Sequence, residues 1–119
     1  MFTINVDGKN RNFKASPMGL LLYRQEFDAD LITDFSKIVD NQILDMLAVY
    51  KILWAMEKTA NLADDAFPGF TAWLASFDLG IDLTDKKVFG AFAEEASRGF
   101  LGTSKIPGSG KVKGAKQQP

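Results

Sequence analysis

The sequence predicts a mainly α-helical single domain in which an N-terminal β-hairpin precedes four or five helices. Three observations predict it. Period-two alternation is confined to the first 13 residues, where an Asp-Gly pair divides it, whereas apolar residues at three- and four-residue intervals dominate the chain from Pro17 to Phe100. From about Thr103 onward the composition turns to Gly, Ser, Lys, Pro and Gln. Such a segment buries too little to offset its ordering entropy, so residues 1–102 are read as the folded domain and 103–119 as a flexible basic tail. With 119 residues, 46% of them hydrophobic and 24% charged, one core is expected.

Phe2, Ile4 and Val6 alternate with Thr3 and Asn5, and Asp7-Gly8 then sets a two-residue hairpin turn. That register places Val6 opposite Lys9 and Phe2 opposite Phe13. An isolated two-stranded ribbon is marginal in water, so its apolar side requires helices as cover. Ser16-Pro17 is a helix start, a capping hydroxyl followed by a residue whose fixed φ suits the first helical position. Leu20, Tyr23, Phe27 and Leu31 recur at helical spacing, which predicts a first helix from Pro17 to about Asp28. Leu31, Ile32, Phe35, Ile38 and Val39 suggest a short second one.

Asn41 to Asn61 is the strongest periodic segment, with Ile43, Leu47, Tyr50 and Trp54 on one stripe flanked by Met46 and Leu53. Leu44, Val49, Ile52 and Met56 widen the apolar surface beyond one stripe. The helix is therefore either central or has a second face given to a partner. Pro68-Gly69 breaks the chain before a short aromatic helix with Phe70, Trp73, Leu74 and Phe77, and 79–83 reads as a connector. Thr84 is the expected cap of a last helix with Val88, Phe89, Phe92, Ala96 and Phe100 on one face. Gly90 weakens that helix by roughly 1 kcal/mol against alanine.

Composition removes several function classes. There is no Cys and no His, so thiolate and serine-histidine nucleophiles, Cys-ligated zinc and the commonest metal ligand are excluded. The opening residues lack the basic start and apolar run of a signal peptide, and no stretch has the length of a bilayer span; the expectation is a cytoplasmic protein without a membrane partner. All 15 acids lie at or before Glu95, against nine bases in residues 1–97, which leaves an acidic body and a basic tail. An acidic body argues against nucleic acid as partner, because phosphate contact needs a basic surface.

The remaining constellations favour bland readings. Asp28, Asp30 and Asp34, or Asp64 and Asp65, have the oxygen chemistry of a hard-cation site but not the spacing of an EF-hand, and read as solvated caps; no metal or cofactor is expected. Gly108-Ser109-Gly110-Lys111 is similar to the end of a phosphate-binding loop, yet Val112 follows the lysine and no strand precedes it. Lys105, Lys111, Lys113 and Lys116 have no interleaved aromatics to stack on bases. The aromatics are more informative. Ten Phe, with Trp54, Trp73, Phe67, Phe70 and Phe77 in mid-chain, supply the core and leave more apolar surface than one small core obviously needs.

The hairpin, Tyr23-Arg24-Gln25-Glu26-Phe27 followed by Asp30-Leu31-Ile32-Thr33-Asp34, Trp54-Ala55-Met56-Glu57-Lys58, and Phe70-Thr71-Ala72-Trp73-Leu74 together resemble the tail assembly chaperones of siphophages and related prophages. The resemblance runs in order from about Phe2 to Phe100. It implies a non-enzymatic factor that coats the hydrophobic tape measure protein during tail assembly in the host bacterial cytoplasm and is absent from the mature virion. It also implies self-association along that client and, in a frameshifted longer form, recruitment of tail tube protein through the extension. The candidate client contacts are the exposed members of Leu44, Val49, Ile52, Phe89 and Phe92. A small phage regulatory or scaffold module that binds a host protein is the alternative.

Overall fold

The computed structural model describes residues 1–41 and 45–103, and over these the chain is mainly helical with an N-terminal two-stranded sheet. Strands β1 (Phe2–Val6) and β2 (Lys9–Phe13) are antiparallel, with Phe2 opposite Phe13 and Val6 opposite Lys9, the register expected from the Asp-Gly turn. Asp7 and Gly8 both take positive φ, 53° and 84°, the backbone of a type I′ turn. Thr3 pairs with Asn12 and Asn5 with Asn10 on the wet side of the ribbon, while Ile4, Val6 and Phe13 are buried on the other. β2 lies on the long helix α3, whose Met56 carbonyl accepts from Lys14 N–H at 3.1 Å, and β1 lies on the last helix.

Helix α1 (Pro17–Phe27) starts as its sequence dictates, with Ser16 Oγ accepting from Met18 N–H. It stops at Asp28, which adopts the left-handed conformation (φ 52°) and returns its N–H to Arg24 O. α2 (Leu31–Asn41) buries Leu31, Phe35 and Ile38, one stripe at helical spacing. The single helix expected from Asn41 to Asn61 is corrected here: α2 runs to Asn41, and α3 (Met46–Ala60) begins only after Asp45. Asp45 is in an extended conformation with its carboxylate accepting from Ala48 N–H at 3.1 Å, so this side chain competes for the backbone and sets a start. Ile43 and Leu44 lie outside the described residues, as does the tail from 104 on.

From Ile52 to Glu57 every residue of α3 is buried, which a helix achieves only when elements surround it. Those elements are α1, α2, β2 and α4 (Phe70–Ala75). The connector after α4 is no bare linker, because Ile81 and Leu83 are buried in the core. α5 (Lys86–Leu101) is capped by Asp85, which accepts from Lys87 N–H at 2.8 Å, instead of by Thr84; the Thr84 N–H and hydroxyl are both taken by Asp82. It ends at Gly102, left-handed at φ 71°. α5 crosses the hairpin-to-α1 joint so closely that a Cβ on Gly99 would lie 2.1 Å from Ala15 O.

Candidate interaction surface

The aromatic residues that made the sequence look apolar in excess close on one another. Phe27 meets Trp54 edge-on at 5.5 Å and Phe70 at 5.0 Å; Trp73 meets Phe77 at 4.8 Å and Phe70 at 5.9 Å. Both indole N–H groups have partners: Trp54 donates to Pro68 O at 3.1 Å, and Trp73 donates to Glu57 Oε1 at 2.6 Å. Glu57 is a buried carboxylate at the centre of the fold, and its second oxygen accepts from Arg11 Nε at 3.1 Å. The Arg11 guanidinium in turn lies over the Phe77 ring at 4.4 Å. Hairpin, α3 and α4 are thereby joined through one part-buried charge pair.

This closure corrects most of the expected contact surface. Val49, Ile52 and Phe92 are all 0% exposed, Phe89 is half-buried with its ring 5.7 Å from Phe92, and Leu44 lies outside the described residues. The two open readings of the wide apolar face on α3 are thus decided for a central helix, so Val49 and Ile52 are spent on the core. Phe92 is spent likewise, edge-on to Phe35 of α2 at 6.0 Å.

Other side chains hold the exposed apolar surface: Met1 before β1, Met18 and Leu21 on α1, Met46 and Leu47 in the first turn of α3, then Leu62 and Leu79. Leu47 belongs to the stripe that the sequence assigns to the core, yet it is 52% exposed, and burial along α3 begins only at Val49. Met18 and Leu21 carried a signal that could have been used: they are three apart and lie off the Leu20-Tyr23-Phe27 stripe. Gly19 sits beside Thr59 and Phe27 beside Trp54, so α1 runs antiparallel to α3. Met18 is then at the Leu62 end of the pair and Met46-Leu47 at the other.

Carboxylates outside this core serve as struts. Tyr23, fully buried, donates to Asp34 at 2.6 Å, and burial first, then that bond and the nearby Asp charges, push its hydroxyl far above the ordinary phenol range. Asp30 is held below the usual carboxylate range chiefly by the Thr33 hydroxyl. Glu95 is buried on α5. Its burial opposes ionisation, but bonds from the Met1 ammonium at 2.7 Å and Ala15 N–H at 2.9 Å, with the Arg98 charge, outweigh this and lower its pKa. Among the described residues no group of three or more His, Cys, Asp or Glu side chains could hold a metal ion, and no helix is long and apolar enough to cross a membrane. An open depression of about 360 Å³ lies between the hairpin turn and the end of α4, with Lys9, Arg11 and Glu57 among its walls.

Comparison with protein-family models, curated proteins and solved structures returns no match.

Proposed function

We propose that the protein is a non-enzymatic tail assembly chaperone that binds and solubilises a tape measure protein in the cytoplasm of an infected bacterium. The observation that carries the proposal is the chemistry of the apolar residues left outside the core: Met18, Leu21, Met46, Leu47, Leu62 and Leu79 are Met and Leu, with no aromatic among them. Unbranched or γ-branched side chains of this kind adapt to many surfaces, and Met in particular recurs where a protein holds clients of varied sequence. A rigid aromatic interior beneath a soft aliphatic exterior suits weak contact with an apolar helix. The likeness of Tyr23–Phe27, Trp54–Lys58 and Phe70–Leu74 to tail assembly chaperones supplies the identity of the client. Tail tube protein and further copies of the chaperone complete the expected partners.

Co-expression tests the reading. With the tape measure protein of the same virus, the wild-type chain should bring the client into the soluble fraction and co-purify with it. Met18→Ser/Leu21→Ser and Met46→Ser/Leu47→Ser variants, altered at exposed positions and so expected to fold, should each release part of the client. A client that stays insoluble with this chain and any frameshifted product present refutes the proposal and favours a regulatory module.

A further inference from the structure

The depression between the hairpin turn and α4 has acids and bases in its walls, and their hydrogen bonding is unequal. Asp7 accepts the N–H groups of Asp78 and Leu79, one on each oxygen. Glu57 likewise spends one oxygen on Trp73 Nε1 and the other on Arg11 Nε. Both carboxylates are therefore committed within the fold. The cations are not: among the described residues the Arg11 guanidinium donates to the protein only through Nε, and the Lys9 ammonium has no hydrogen bond or ion pair. A guanidinium carries five N–H donors, so four remain on the two Nη atoms. Neither Nη is a buried atom without a partner, although the side chain is only 20% exposed. Both are therefore within reach of solvent, and Arg11 is one of the residues that line the depression.

Arg11 is also held still. Its Nε is fixed by Glu57, and the plane rests on Phe77 at 4.4 Å with Trp73 at 5.7 Å, so the fork loses little freedom when a ligand engages it. Glu57 approaches from the Nε side and leaves the Nη1–Nη2 end for a second planar partner. We infer that this depression is a carboxylate-binding site, with Arg11 as the bidentate donor and Lys9 as the second cation at the rim. A volume of about 360 Å³ is at the small end of ligand pockets and suits one acidic side chain or a small free acid. The chemistry is shared by these two sources. The inference is independent of the chaperone reading, because it concerns a polar site on the hairpin side that no exposed Met or Leu side chain lines.

The test is a titration of the ¹⁵N-labelled full chain at fixed ionic strength with acetate, blocked glutamate (N-acetyl, N′-methylamide), inorganic phosphate and sodium chloride. The reporters are the Trp73 indole N–H and the Arg11 Nε–H, both bonded to Glu57. Saturable shifts of both with the two carboxylates support the site. Tighter binding of blocked glutamate than of acetate marks a protein side chain as the source, and equal binding marks a free acid; either agrees with the inference. Arg11→Lys, which keeps the charge and loses the fork, should weaken binding by about tenfold. Lys9→Ala, an exposed change that leaves the fold intact, should weaken it severalfold. Linear shifts matched by chloride overturn the inference, as does phosphate saturating the site below either carboxylate. An unchanged curve for Lys9→Ala overturns the rim contact even where Arg11→Lys does not fold.

Discussion

Trp73 illustrates how much one side chain carries in a domain of this size. Its ring packs with Phe70 and Phe77, and its N–H supplies a donor to a buried carboxylate, so packing and electrostatics can be separated by substitution. Trp73→Phe keeps most of the ring and leaves Glu57 Oε1 without its partner, a loss of about 1.5–3 kcal/mol. Trp54→Ala removes a ring that is 1% exposed and should cost about 3–5 kcal/mol. Chemical denaturation of both variants checks the two figures; a wild-type midpoint for Trp54→Ala would place that ring outside the core, and one for Trp73→Phe would leave the indole–carboxylate bond with no net contribution. Titration adds a second residue-level expectation. Glu95 has a lowered pKa when folded, so its stabilisation is complete above the unfolded carboxylate value and is lost as pH falls through the folded one. Tyr23 has a raised one, so its stabilisation is complete below the ordinary phenol value of 10.0 and fades as pH rises beyond it. Urea midpoints across pH should form a plateau that drops on both sides. Glu95→Gln should flatten the acid limb and Tyr23→Phe the alkaline one; limbs unchanged in these variants would assign the drops to other groups.

At the scale of elements, α5 contains two glycines in opposite situations. A Cβ on Gly99 would meet Ala15 O at 2.1 Å and Ala15 Cβ at 2.4 Å, so Gly99→Ala must push α5 off the hairpin joint. Overpacking of that kind costs about 1–3 kcal/mol, occasionally more. Nothing lies within 4 Å of the corresponding point on Gly90, where the same substitution gains about 0.8–1 kcal/mol of helix propensity. Melting temperatures moving in opposite directions confirm this arrangement, and two shifts of the same sign contradict it. Spacing alone distinguishes neither glycine, because close approach is a tertiary fact. Local chemistry made other elements legible: Asp7-Gly8 gave the hairpin register, Ser16-Pro17 the start of α1, and Pro68-Gly69 the position of α4. Where two capping residues are neighbours, as with Thr84 and Asp85, sequence does not say which is used; here Asp82 occupies Thr84 and leaves Asp85 to cap. Apolar periodicity ran past the start of α3 because spacing does not register a cap: the Asp45 carboxylate accepts from Ala48 N–H and starts the helix there. The contact residues were the least legible. Val49, Ile52 and Phe92 are large and apolar whether they meet a partner or their own core, and only the packing of α1, α2, β2 and α4 around α3, and of Phe92 on Phe35 of α2, separates the cases.

For the molecule as a whole, the exposed apolar side chains are dispersed: Met18 and Leu62 near one end of the α1–α3 pair, Met46 and Leu47 near the other, and Leu79 beside the hairpin turn. Dispersed small contacts do not make one tight site. They suit many weak ones, and copies arrayed along a long client gain from avidity because each bound copy raises the local concentration of the next. Two kinds of force could hold such an array, and they differ in measurable ways. Attraction between the acidic body and a basic client would weaken steeply as salt rises, since exposed charges are screened beyond about 8 Å at physiological ionic strength. Burial of Met and Leu surface would instead give a negative heat-capacity change and slight salt dependence. Calorimetry at several temperatures with a soluble apolar segment of the tape measure protein should therefore return a negative slope of enthalpy against temperature. The slope should be smaller for Met18→Ser/Leu21→Ser and the affinity nearly constant between low and physiological salt. A zero slope with affinity falling steeply in salt would move the contact from the aliphatic residues to the charged surface, and the apolar chaperone mechanism would fail with it.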